Sequence, residues 1–300
     1  MRSKTHGYIV AFLATTIFSA QDGISKHLAE AYHPIFITMI RYWAFALFAL
    51  VLAMSLPGGV KATMRTRRPW LQVFRGILLA VQVVLAISSF HVAGLARAQA
   101  IFSATPLIVV MLAIPLLGER VGWRRWTAII VGLVGMLLIV KPDGEIFDPA
   151  VLLPVAGAIN FAVYVVMTRM VGRVDSPMTS FFYTGIAGAV TISLAGPFFW
   201  ATITGWDLAW MGVLCLTSVS GHYLLIRAYS ILDASAVQPI TYLSVVYAAV
   251  IGMTVFGETL GWTTVVGAVV IVGAGIFTIW REYVRRTPAP LVAVAEAEHP

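Results

Sequence analysis

Ten apolar runs, each about as long as one membrane crossing, fill most of this 300-residue chain. They lie at 7–29, 34–56, 71–93, 97–117, 123–140, 149–171, 177–199, 208–230, 234–256 and 262–281. A helix needs about 20 such residues to span the hydrocarbon core. The longest polar stretches are 57–70, 141–148 and the tail after Arg281, so no soluble domain fits between the runs. Apolar residues make up 60% of the chain and charged residues 11%, against about 45–50% and about 25% in soluble domains. The runs do not alternate with period two, which excludes a β-barrel. The expectation is an all-α polytopic membrane protein of ten transmembrane helices. Arg2 and Lys4 before the first run resemble a signal peptide's start. That run continues past Ala20 with a poor cleavage pattern (Phe18 at −3), so it is read as the first span. A single cysteine, Cys215, leaves no disulfide scaffold and no multi-cysteine metal site.

Basic residues set the expected orientation. With the N-terminus inside, the cytoplasmic segments carry Arg2, Lys4, Lys61, Arg65, Arg67, Arg68, Arg120, Arg124, Arg125, Arg169, Arg173, Arg281, Arg285 and Arg286. Only Arg97 and Lys141 fall in outer loops. Arg75 and Arg227 are read as lying near cytoplasmic span ends. This bias places both termini in the cytoplasm. The net charge of +7 therefore reports topology. The basic 61–68 loop is assigned to anionic lipid rather than nucleic acid.

The two halves of the chain resemble each other. A shift of 139 residues carries Gly118-Glu119 onto Gly257-Glu258 and Gly122-Trp123 onto Gly261-Trp262. For the first two spans of each half the shift is 143, which carries Lys26 onto Arg169 and Pro34 onto Pro177. Each half has five spans, and an odd number forces the second half to cross in the opposite sense. The expected units are 7–140, an inverted 149–281 and a cytoplasmic tail, 282–300. Inverted repeats around a midplane cavity are the architecture of secondary transporters.

Polar groups inside spans are costly and so become site candidates. On span one, Thr15, Ser19, Asp22 and Lys26 share a helical face, and Asp22 and Lys26 are expected to neutralise each other at i,i+4. With Arg41 on span two they form a possible charge or coupling site. Gln82, Ser103, Asn160, Tyr164, His222, Gln238 and Tyr242 are expected to line a substrate cavity nearly free of fixed charge. Pro106 and Pro239 interrupt backbone hydrogen bonding in spans four and nine and are the expected hinges. Glu119 and Glu258 close those spans, with an expected structural role bonding turn amides or neighbouring helix ends, and gating as the alternative. No H-E-x-x-H, G-x-S-x-G or Walker A motif occurs. The chain is thus not read as an enzyme, and no catalytic residue, metal or cofactor is assigned. Amide, phenol and imidazole groups suit a zwitterion with an aromatic or apolar side chain. The sequence sets no oligomeric state.

The segments "SAQDGISKHL" with Arg41 downstream, "PLLGERVGW", and "GHYLLIRAYSILDASAVQPITYLSVVYAAVIGMTVFGET" resemble the drug/metabolite transporter superfamily. The likeness is to its ten-span branch with two EamA domains, nearest the bacterial aromatic amino-acid exporters, and covers about 7–281. The resemblance implies a basket in which spans one to four and six to nine surround a central cavity, with five and ten peripheral. It also implies a bacterial inner-membrane exporter of small amphiphilic metabolites, aromatic and other neutral amino acids first. A multidrug or other metabolite permease is the alternative within the superfamily. A channel or scaffold is the alternative outside it.

Overall fold

The computed structural model describes residues 2–118, 122–140 and 149–259, and beyond these 261–263, 265–270, 272–274 and 277. Glu119, the 141–148 loop and the expected 282–300 tail lie outside the described residues. The described elements are helices: α1 (Arg2–Ala29), α2 (Pro34–Ser55), the short α3 (Gly59–Thr63), α4 (Pro69–Ala93), α5 (Leu95–Phe102), α6 (Thr105–Leu117), α7 (Trp123–Val140), α8 (Pro149–Gly172), α9 (Pro177–Ser193), α10 (Asp207–Ile231), α11 (Ala234–Thr241) and α12 (Leu243–Val255). By length and composition, five stretches among the described residues suffice to cross a membrane: Pro34–Ser55, Pro69–Ala93, Leu95–Leu117, Leu152–Gly172 and Asp207–Ile231.

Spans four and nine, read from sequence as unbroken runs, are each two helices. α5 yields to α6 through a turn at Ser103–Ala104, and α11 yields to α12 at Tyr242. Adding 139 to the bounds of α5 gives the bounds of α11, and Ser103 maps onto Tyr242. The inverted repeat therefore reaches the backbone. Pro106 sits in the first turn of α6, where its missing N–H costs nothing and its φ suits a helix start. The Ser103 and Ala104 amides close the turn onto Gln99 and Ile101 carbonyls at 3.0 Å each, so both stay bonded across the break.

Packing exchanges helices between the halves. The most extensive contacts are α1 with α10, and α4 with α8. These two pairs are the same pair under the repeat: the first helix of one half against the third of the other. The next is α2 with α9, the second helices of both halves. On that interface a Cβ on Gly188 would stand 2.0 Å from the Tyr42 ring. Only the absence of a side chain lets the helices approach so closely. The two largest apolar clusters among the described residues lie around Tyr164, Val165 and Tyr229, and around Phe36, Phe45 and Phe181. Leu47, Val190 and Leu216 are exposed on the outer faces, and Trp70, Trp200 and Trp206 near helix ends. That is the distribution of a lipid-facing surface with interfacial aromatics.

Side chains tie each end of the bundle together. At one, here the Lys26 end, Lys26 meets Glu258, and Tyr32 donates to Asp207 at 3.0 Å. At the other, the Asp175 end, Thr66 and the Arg67 amide bond Asp175, and Arg173 donates to the Leu117 carbonyl at 2.9 Å.

Candidate functional site

Between the halves lies a cavity of about 170 Å3. α1 supplies Thr15, Phe18, Gln21, Asp22 and Ser25, and α2 supplies Arg41. α4 supplies Gln82 and Phe90 among others, and the broken span four Gln99, Phe102, Ser103 and Thr105. The second half contributes Phe161, His222, Leu225, Tyr229, Thr241 and Ser244. Helices of both halves meet there because the exchanged packing places α1, α4 and α10 side by side.

Two charges line this cavity, where the sequence predicted almost none. Arg41 is 2% exposed. Its Nη1 lies 3.5 Å from Ser25 Oγ, its Nη2 donates to Ser218 Oγ at 3.2 Å, and its Nε has no partner. Asp22 accepts a hydrogen bond from the Gln99 side-chain amide. Among the described residues neither charge has an ion pair within 4 Å. The expected Asp22–Lys26 pair does not form. Lys26 reaches instead to Glu258 and lies 4.2 Å from the Phe256 ring centroid. A long lysine stem carries its ammonium toward the helix end, and there the Glu258 carboxylate meets it. Further polar atoms facing the same space are unsatisfied: Gln21 Oε1 and Thr105 Oγ1, on side chains 5% and 4% exposed. Buried groups of this kind normally have partners, and a ligand's polar atoms would supply them.

The other predicted residues separate into two groups. Gln82, Ser103 and His222 line the cavity. His222 Nδ1 is 2.7 Å from the Ser218 carbonyl, which can only accept. Nδ1 therefore carries a proton, leaving Nε2 as the ring's other polar atom. Phe18 meets the imidazole edge-on at 4.9 Å. Asn160 stands behind the wall and donates to Gln82 Oε1 at 3.2 Å and to the Leu78 carbonyl at 2.9 Å. It therefore positions Gln82 rather than lining the cavity.

Tyr164 and Tyr242 are withdrawn. Tyr164 is fully buried, and its hydroxyl accepts from Arg75 Nη1 at 3.4 Å. Tyr242 is 8% exposed and packs on Ala100 at the span-nine break. The Gln238 and Pro239 side chains lie outside the described residues. Arg75, read from sequence as a span-end charge, has no exposure. It also bonds Thr168 Oγ1 at 3.3 Å, Gln72 Oε1 at 3.0 Å and the Ser180 carbonyl.

At the Lys26 end Glu258 accepts from Lys26 and from the Leu95 and Ala96 amides, at 2.9 and 3.2 Å. It thereby caps α5, whose own N-cap, Gly94, has no side chain to offer. Gly94 adopts φ +81° with Glu258 Oε1 3.3 Å from where a Cβ would be. Partial burial works to raise the carboxyl's pKa, but the bonds from Lys26, Leu95 and Ala96 prevail and hold it below the usual carboxylate range.

The model of the EamA-like transporter family matches residues 5–141 and again 148–280. The chain belongs to that family. As an EamA-like protein it is an integral membrane transporter, and its membrane-length apolar helices agree with that. It is 32% identical to an S-adenosylmethionine uptake transporter of Rickettsia bellii, over 88% of this chain and 90% of that one. It is 30% identical to a riboflavin transporter of Rhizobium johnstonii, over 76% of each. A solved crystal structure superposes with a TM-score of 0.70 over 95% of this chain and 99% of its own, at 19% identity, which speaks to the fold alone.

Proposed function

We propose that this EamA-like protein is a secondary transporter of ring-bearing zwitterions, working by alternating access in the bacterial inner membrane. S-adenosylmethionine, whose zwitterionic headgroup is joined to a sulfonium cation, is the first candidate substrate. The observation that carries this reading is the pair Asp22 and Arg41, unpaired with each other and set on one cavity. Buried charges held only by neutral side chains, with no ion-pair contact, are costly. A substrate bearing an ammonium and a carboxylate relieves both at once, ammonium to Asp22 and carboxylate to Arg41. Phe18, Phe90, Phe102 and Phe161 offer faces and edges for a flat ring. Gln82, Ser103 and His222 offer neutral polar contacts, Gln82 held by Asn160. The breaks beside Pro106 and Pro239 are natural places for spans four and nine to bend.

Two relatives carry names with fused heteroaromatic substrates, S-adenosylmethionine and riboflavin. Of these, only S-adenosylmethionine has the amino-acid headgroup that fits the charged pair. Aromatic amino acids share that headgroup and form the second reading, which the same pair favours. The relative's name indicates uptake, so inward movement replaces export as the first expectation. The two repeats, 7–140 and 149–281, carry the site between them, with both termini cytoplasmic.

The test is counterflow into proteoliposomes with radiolabelled S-adenosylmethionine, riboflavin, phenylalanine and tryptophan. Saturable exchange of a zwitterion, lost in Arg41→Gln and Asp22→Asn, is the expected result. Riboflavin flux alone, or flux that never saturates, would overturn it, the latter in favour of a channel.

A further inference from the structure

Lys26 stands one helical turn after Asp22 on α1, and Gln99 stands one turn after Leu95 on α5. Hydrogen bonds close these two turns into a ring. Gln99 donates to Asp22, Glu258 accepts from the Leu95 amide, and Lys26 pairs with Glu258. The ring joins the cavity's carboxylate to the contact that ties α1, α5 and the loop after α12 at the Lys26 end. That contact is well braced. The Glu258 amide donates to the Gly252 carbonyl at 2.9 Å, and a Cβ on Gly252 would stand 2.7 Å from Glu258 Oε2. The Lys26 and Glu258 side chains are only 12% and 18% exposed. Ala98 is fully buried behind the contact, packed with Phe90, Leu95 and Ala248.

We propose that Lys26 and Glu258 seal this end of the transporter and that Gln99 couples the seal to charge at Asp22. The coupling rests on the transport reading above; the seal itself does not. When the seal is shut, α5 is held where Gln99 satisfies Asp22, and the empty carboxylate is not left bare. When α5 moves away, Asp22 loses that donor, and a cationic substrate group takes its place. An open seal and an occupied Asp22 thus favour each other, and linkage makes the effect reciprocal. The sequence does not repeat this coupling, because the shift of 143 carries Asp22 onto Val165, a fully buried apolar residue. Lys26, Glu258 and Gln99 are positioning residues here; none need touch substrate.

The experiment measures how fast a membrane-impermeant maleimide labels Ala98→Cys in a Cys215→Ser background. Ala98 does not line the cavity, so substrate cannot shield it directly. Glu258→Gln, and independently Lys26→Gln, should speed labelling about fivefold, the loss of roughly 1 kcal/mol of charged hydrogen bonding. Asp22→Ala, which lies a full turn from the seal, should speed it too, and adding S-adenosylmethionine to the parent should do the same. Wild-type labelling in both Glu258→Gln and Lys26→Gln overturns the seal. Faster labelling there with no change in Asp22→Ala overturns the coupling. No measurable S-adenosylmethionine binding by equilibrium dialysis, with Asp22→Ala still fast, sinks the substrate and leaves the seal standing. Monodisperse elution of each variant guards against misfolding.

Discussion

Ser25 and Thr168 occupy equivalent positions in the two repeats, 143 residues apart, and each meets the guanidinium of a buried arginine. Arg41 Nη1 lies 3.5 Å from Ser25 Oγ, and Arg75 Nη1 lies 3.3 Å from Thr168 Oγ1. The arginines are not themselves equivalent, since α2 supplies one and α4 the other. Related helix triplets, α1–α2–α10 and α8–α9–α4, therefore each hold one buried positive charge at an equivalent hydroxyl. Both leave Nε unpartnered, but their surroundings differ. Arg75 has four bonded residues and does not line the cavity, whereas Arg41 has two serines and the cavity in front of it.

This difference predicts opposite phenotypes. Arg75→Leu strands the polar groups of Gln72, Tyr164, Thr168 and Ser180 and should cost about 3 kcal/mol of stability. Arg41→Gln keeps a donor near the serines and should change stability by less than about 1 kcal/mol while abolishing substrate binding. Thermal unfolding in detergent and equilibrium dialysis separate the two effects. Equal loss of stability in both variants would contradict the assignment.

Tyr164 and Asn160 lie one helical turn apart on α8 yet should behave differently. Tyr164→Ala removes a fully buried ring from the larger apolar cluster and should destabilise by about 3–5 kcal/mol. Asn160→Ala frees Gln82 to turn, and should raise the substrate's Kd severalfold with little change in melting temperature. Asn160→Asp keeps a side chain of the same shape but cannot donate to Gln82 when ionised, so it should not restore affinity.

Much of this was legible in the sequence, for identifiable reasons. Long apolar runs mark membrane helices because the bilayer leaves the backbone few alternatives. The Gly-Glu and Gly-Trp matches exposed the repeat because turns demand particular residues. Partner choice was less legible. An i,i+4 Asp22–Lys26 pair looked self-contained because nothing local announces that Glu258, 232 residues away, is the nearer carboxylate. Tyr164 and His222 look alike as intramembrane polar residues. Only the packing of α4 on α8, and of α1 on α10, decides that Tyr164 faces Arg75 and His222 faces the cavity. Arg75 carried one usable signal: it falls a full helical turn inside the 71–93 run and not in the loop before it.

The seal should respond to acid. Glu258's pKa lies below its ordinary 4.5 while the bonds from Lys26, Leu95 and Ala96 are made. A depressed carboxyl stabilises the closed state fully above the ordinary value, and that contribution fades as pH falls through the lower one. Its position at the end of the bundle, still reached by solvent, limits it to about 1 kcal/mol. The stability difference between wild type and Glu258→Gln should therefore be constant from pH 7 down to about 5 and shrink in more acidic buffer. A gap that widens on acidification would mean that Glu258 is bonded as a neutral acid.

Orientation is the last prediction, and it bears on the direction of transport. The structure gathers Thr66, Asp175, Arg173 and Leu117 at one end of the bundle. Lys61, Arg65, Arg67, Arg68, Arg169 and Arg173 lie in or beside the segments at that end, whereas the Lys26 end holds far fewer basic loop residues. Basic loops are retained in the cytoplasm during insertion. Reporter fusions at positions 62, 122, 174 and 290 should therefore be active only as cytoplasmic reporters, and fusions at 145 and 205 only as external ones. The Lys26–Glu258 seal then faces outward, and inward transport must open it first to admit substrate and close it before release. An external signal at 174 would invert the molecule and place the seal on the cytoplasmic side. A split between 62 and 174 would contradict the Thr66–Asp175 contact itself.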